Sequence, residues 1–143
     1  MKKGIIILFS DDEKKIHKNQ FTNLFNHKDI KLCFVNNGSK DNTLTILEAV
    51  KDDLEPSSIS IIDIKKDKGI NAAIKAGARY LLSSGNLKCI MHFKSNMLPF
   101  FENKENQLKI LKKIEDRFND NLSTSKNRKN AKNIFSYKEF LIP

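Results

Sequence analysis

The chain has 143 residues, 39% of them hydrophobic and 30% charged, which suffices for one globular domain with its own core and excludes a mostly disordered polymer or two ordinary domains. Its net charge of +9 comes from 23 lysines and only three arginines, Arg79, Arg117 and Arg128, in company with many asparagines and isoleucines. Readers of phosphate and base edges favour the planar fork of arginine, so this excess points to a solvated lysine surface and to no specific nucleic-acid site.

In chain order, the run Gly4 to Phe9 stops at Ser10-Asp11-Asp12-Glu13 without a small-residue cleavage site. It reads as a first buried strand of a cytoplasmic protein, although Lys2 and Lys3 ahead of it faintly imitate a secretion signal. It and the run Ile59 to Ile64 are far shorter than the ~20 residues of a transmembrane helix, so no membrane span is expected. A helix is expected from about Glu13 to Asn26, with Ile16, Phe21, Leu24 and Phe25 inward. A second strand covers Lys31 to Val35. A second helix starts near Asp41 as N-cap, with Leu44, Leu47, Val50 and Leu54 inward, and Pro56 stops it. A third strand spans Ser60 to Ile64. The third helix has the cleanest stripe, Ile70, Ala73, Ile74, Gly77 and Leu81, with small residues that let it lie close on a sheet. A fourth strand spans Leu87 to Phe93 and a fourth helix runs from about Lys104 to Phe118 with Leu108, Leu111, Ile114 and Phe118 inward. From Asn119 to Asn133 the chain is polar and a flexible connection is expected; Ile134 to Ile142 is apolar again, as an edge strand or a docking tail. The organisation expected is a domain over 1–118 and a linker with C-terminal tail over 119–143.

Alternating strands and helices of this kind predict an α/β fold, a three-layer sandwich around a mostly parallel sheet with right-handed crossovers. Cys33 and Cys89 sit in strand-like runs and read as reduced core thiols. His17, His27 and His92 show no ligand spacing, so a metal site built on them is not expected.

In an open parallel sheet, ligands bind beyond the carboxyl ends of the strands, which singles out Ser10 to Glu13, Asn36 to Thr43, Lys65 to Gly69 and Lys94 to Pro99. The second group, Val35-Asn36-Asn37-Gly38-Ser39-Lys40-Asp41-Asn42-Thr43, resembles the V-D-D-G-S-x-D-x-T segment of the family 2 glycosyltransferases, nucleotide-sugar enzymes of the GT-A fold. Lys68-Gly69 followed by Ala73 and Gly77 is similar to the family's N-x-G-x-x-x-A-x-x-x-G segment. Cys89 to Phe93 resembles the strand leading into its D-x-D metal motif, and Asp11-Asp12-Glu13 resembles its N-E-E turn. The four segments follow in order from about Ile5 to Phe118.

The resemblance implies a GT-A, Rossmann-like nucleotide-binding half with strand order 3-2-1-4. It also implies a nucleotide diphosphate or nucleotide sugar over the strand ends, with Ser10, Asp11, Asn36, Asn37, Ser39, Lys68, Gly69 and Lys75 as candidate contacts. Lys94, Ser95 and Asn96 stand at the D-x-D position, and Asn36-Asn37 replace the two aspartates of the second segment. A lysine there repels a cation: two unit charges at ~4 Å and an effective dielectric of ~20 interact by roughly 4 kcal/mol, and a divalent ion meets about twice that. No metal cofactor is therefore expected. Lys94 or Lys75 can instead meet phosphate as a point charge. Glu102, Glu105, Glu115 and Asp116 show no sign of being poised as a base, so no catalytic residue is assigned. Relatives in the family continue beyond the D-x-D strand into an acceptor half, which this sequence is expected to lack. Three readings stand at this point: a nucleotide-sugar-binding domain with weak or no transferase activity, working beside a complete partner glycosyltransferase; a metal-independent glycosyltransferase completed by self-association as a homo-oligomer; or a non-catalytic interaction module using its basic surface.

Overall fold

The computed structural model describes residues 2–54, 58–83, 85–124 and 133–141. Strands β1 (Lys3–Phe9), β2 (Ile30–Asn37), β3 (Ile59–Ile64), β4 (Cys89–Lys94) and β5 (Ile134–Ser136) form one sheet in the order β3-β2-β1-β4-β5, parallel throughout. The expected order 3-2-1-4 is found, with β1 central and all seven of its residues buried. The apolar C-terminal stretch supplies the fifth strand, so it is an edge strand, with Tyr137 N–H donating to His92 O at 3.0 Å beyond it.

Side chains alternate across β1 and so feed two cores. Ile5, Ile7 and Phe9 face the side covered by helices α1 (Thr43–Asp53) and α4 (Lys104–Thr124), through Leu47 and Val50 of the former and Ile110 and Ile114 of the latter. Ile6 and Leu8 face helix α2 (Ile70–Ser83), whose Ala73, Ala78 and Leu81 close the other side. Gly77 permits this approach: a Cβ there would lie 3.1 Å from side-chain atoms of Ile6 and Val35. Two one-turn helices, α3 (Leu98–Phe101) and α5 (Lys138–Leu141), complete the elements.

Five local expectations differ from the structure. Ile70, the first residue of the apolar stripe expected for the third helix, is 42% exposed. Residues 13–26 form turns around a 3-10 turn at Lys18–Gln20 instead of an α-helix, although Ile16, Phe21, Leu24 and Phe25 are all buried. Ile16 and Phe21 are five residues apart, about 140° round a helix, and Phe25 has φ +47°, which no right-handed helix continues through. Gln107 of α4 holds that turn, accepting from Phe25 N–H at 2.7 Å and donating to Phe101 O at 2.5 Å. This bond also sets the rotation of α4, whose buried positions are Gln107, Ile110 and Ile114, with Leu108 57% exposed. The same helix continues to Thr124, so residues 119–124 belong to it; residues 125–132 lie outside the described residues, as does Pro56. Helix α1 begins at Thr43 with Asn42 as N-cap, and Asp41 accepts from Thr43 N–H at 3.0 Å from just outside it. No helix among the described residues is long and apolar enough to cross a membrane.

Candidate functional site

The carboxyl ends of β1, β2, β3 and β4 deliver their loops to one side of the molecule, and hydrogen bonds tie those loops into a single frame. After β1 the chain turns sharply, with Asp11 at φ +49°. Asp11 N–H donates to Ser39 Oγ at 3.0 Å, and Lys40 N–H donates to Asp11 Oδ1 at 2.6 Å. Asp12, 6% exposed, accepts through Oδ2 from Ser10 N–H and from the Ser95 hydroxyl, each at 2.8 Å, while its own N–H donates to Thr43 Oγ1 at 2.9 Å. Asp12 thereby joins the loops after β1 and β4 to the start of α1. The Thr43 hydroxyl donates to Asp41 and, with the N–H groups of Thr43 and Glu13, holds the Asp41 carboxyl below its ordinary range.

Asn36 and Asn37 end β2 and are both buried. Asn36 accepts from the Ser39 hydroxyl and donates through Nδ2 to Asp63 Oδ1 at 2.9 Å. The Asp63 carboxyl is held low by the Lys65 ammonium and then by that Asn36 amide. Asn37 donates through Nδ2 to Asp67 Oδ1 at 3.1 Å; Gly69 N–H donates to the same oxygen at 2.7 Å. Asn37 Oδ1 is buried and has no hydrogen-bond partner among the described residues. An unsatisfied buried acceptor of this kind costs about 1–3 kcal/mol, so a donor arriving from a ligand would recover that energy. Gly38 allows the two loops to meet. It has φ +66°, its N–H donates to Ile64 O at 2.8 Å, and a Cβ would come within 2.6 Å of Asp67 N.

These loops enclose a crevice of about 290 Å³ lined by Leu8, Phe9, Ser10, Asp12, Asn37, Asp67, Ile70, Lys94, Ser95 and Asn96. Of the candidate contacts named from the sequence and the residues at positions 94–96, Ser10, Asn37, Lys94, Ser95 and Asn96 line it. Asp11, Asn36 and Ser39 brace its walls from behind through the bonds above. Lys68 and Gly69 lie exposed at the start of α2, beside the crevice but not lining it, and Lys75 lies exposed further along that helix. Asp12 and Asp67 also line it; they lie in the strand-end loops singled out from the sequence but are not among the candidate contacts, and Leu8, Phe9 and Ile70 lie outside both. Asp67 carried a readable signal, an acid two residues before a glycine at a helix start, which is the pattern of a carboxylate closing a turn on a backbone N–H.

A larger cavity of about 640 Å³ lies at the opposite end, between residues 21–32 and residues 53, 54, 58 and 59. It is remote from the strand carboxyl ends, where sheets of this topology bind ligands, and the strand-end crevice is the stronger candidate despite its smaller volume.

The donor set does not fit a divalent cation. Lys94 brings an ammonium, Asn96 an amide, and the Ser95 hydroxyl is committed to Asp12. The crevice carboxylates Asp12 and Asp67 each already accept two hydrogen bonds, and the described residues contain no group of three His, Cys, Asp or Glu that could hold a metal ion. The two cysteines are inert by burial, which pushes the Cys33 thiol up to about 12 and the Cys89 thiol up to about 11.

The chain matches the family model of glycosyl transferase family 2 over residues 13–91, more than half its length. No curated protein matches it. Among solved structures it is similar to S. aureus TarS: residues 1–349 of that protein, alone and in complex with UDP, each show 19% identity and a TM-score of 0.46 over 66% of this chain and 27% of that one. A longer TarS structure gives the same identity and TM-score, with 16% of its chain covered. The chain thus spans about a quarter or less of the length of these structures.

Proposed function

The chain belongs to glycosyl transferase family 2, and on that premise we propose that it binds a nucleoside diphosphate or nucleotide sugar in the strand-end crevice without a divalent metal, with weak or no transferase activity. The observation that carries the reading is the convergence of four strand-end loops on one crevice that Lys94, Ser95 and Asn96 help to line. At about 290 Å³ the enclosed volume stands at the lower bound for small-molecule sites, room for a nucleoside, with the diphosphate emerging at the rim. Lys94 and the start of the 14-residue helix α2 are the groups there that favour an anion.

Weak or absent transfer is favoured because Asp12 and Asp67, the crevice carboxylates, are tied to loop backbone and side chains and neither is presented as a base. The buried thiols suit a reducing, cytoplasmic setting. Calorimetric titration of the chain with uridine and guanosine diphosphates and their sugars tests the proposal. Binding should be measurable and should weaken about tenfold or more in Lys94→Ala, the loss expected for a charge-assisted contact. No binding by the wild-type chain would overturn the reading, and appreciable sugar transfer would replace it by that of a metal-independent glycosyltransferase.

A further inference from the structure

The sheet ends at β3, and the outer side of that strand is a row of backbone groups. Gly38 N–H donates to Ile64 O across the β2 ladder at 2.8 Å; in a strand the N–H and C=O of one residue point the same way, and successive residues alternate. Ser60, Ile62 and Ile64 therefore bond to β2, while the N–H and C=O of Ile59, Ile61 and Asp63 point outward with no partner among the described residues. Natural edges are usually guarded by prolines, lysines or bulges. β3 pairs with β2 through six consecutive residues without a bulge and contains no proline, glycine or lysine, and its one charge, Asp63, is neutralised by Lys65. Four of its six residues are isoleucines. Ile61 is half-buried on the α1 face and Ile62 and Ile64 on the α2 face, so apolar surface reaches the rim on both sides.

We propose that this edge is an interface with a second copy of the chain, the two β3 strands pairing antiparallel about a two-fold axis at Ile61 so that each sheet continues into the other. The row is complementary to itself in that sense. Ile61 of each copy exchanges N–H···O bonds with Ile61 of the other, and Ile59 does so with Asp63 on either side, which pairs every outward group. The antiparallel placement also matches charge. Helix α1 ends at Asp53 beside the start of β3, where Asp53, Ser58 and Ile59 border one cavity, whereas Lys65 and Lys66 follow the other end of the strand. The axis therefore brings Lys65 and Lys66 of each copy towards the exposed Asp52 of the other, which offsets part of the repulsion between two chains of net charge +9. A second copy is favoured over an unrelated strand because one edge, turned through half a turn, meets both the backbone and the charge condition. The inference does not rest on the nucleotide-binding reading.

Sedimentation and light scattering of the wild-type chain across the micromolar range should show a concentration-dependent dimer. In that dimer the outward Ile61 and Asp63 amides should be protected from hydrogen exchange nearly as well as the inward Ile62 and Ile64 amides, and should lose that protection by at least about tenfold on dilution to the monomer. Ile61→Pro removes one outward N–H and no bond to β2, a place where an edge strand accepts proline, so it should give a monomer with the circular dichroism of the wild type. A wild-type chain that stays monomeric throughout would overturn the inference. So would a dimer whose Ile61 and Asp63 amides exchange as fast as in the monomer, or one that persists in Ile61→Pro. The exchange measurement uses the wild-type chain alone and decides the matter if the proline variant does not fold.

Discussion

Gly38 and Gln107 are two residues whose substitution the local geometry opposes directly. At Gly38 a positive φ of +66° coincides with a closest approach, the built Cβ falling 2.6 Å from Asp67 N, so Gly38→Ala must both strain its own backbone and push the loop after β3 away. We expect a loss of about 2–4 kcal/mol in urea unfolding, with nucleotide affinity falling as well because Asp67 moves. Gln107→Ala leaves Phe25 N–H and Phe101 O unpaired in the core at about 1–3 kcal/mol each, and the same unfolding measurement should show a loss of about 2–6 kcal/mol with little effect on the distant crevice. Asp63 gives a pH signature. Lys65 and Asn36 lower its carboxyl in the folded state, so its contribution is fully present above the ordinary aspartate value of about 4 and is lost as pH falls through the lowered value. Stability curves of the wild type and Asp63→Asn should therefore run parallel between pH 7 and 5 and converge only under stronger acid. Convergence already between pH 7 and 5 would contradict this assignment.

Among the elements, the strands were readable because parallel strands covered on both faces are continuous apolar runs, as Gly4 to Phe9 and Leu32 to Val35 are. The third helix was equally plain, since Ala73, Gly77 and Leu81 repeat at helical spacing and are buried. What could not be read depends on contacts made across the chain. The turns at 13–26 follow from Phe25 being pinned by a residue 82 positions away, and the rotation of α4 follows from the same bond. At the site, positions just after strands identified Ser10, Asn37 and Lys94, but Lys75 stands five residues beyond Ile70, about 140° round α2, and so misses the crevice that Ile70 lines. Arg117 of α4 lies 4.8 Å above the Phe135 ring and 5.6 Å from that of Phe140, which fastens the C-terminal segment to the helix. In Arg117→Ala the Tyr137 amide, bonded to His92 O, should exchange its hydrogen faster by about tenfold while amides of β1 and β2 are unchanged. Uniform acceleration across the sheet would show instead that the segment is integral to the core.

For the molecule as a whole, the proposed reading joins two observations: the chain belongs to glycosyl transferase family 2, and the crevice at its strand ends is lined at positions 94 and 96 by an ammonium and an amide rather than by carboxylates. Restoring the carboxylates in a Lys94→Asp, Asn96→Asp double variant should make nucleotide affinity respond to manganese by a modest factor, on the order of tenfold, because Asn36 and Asn37 still offer amides. Unchanged, manganese-indifferent binding in that variant would mean that position 94–96 does not face the diphosphate.

The central claim, nucleotide binding that Lys94 supports without a metal, is tested most directly by titrating uridine diphosphate into the wild-type chain in the presence of excess manganese and again in excess chelator. The account predicts the same dissociation constant in both. A dissociation constant that tightens severalfold with manganese would contradict it.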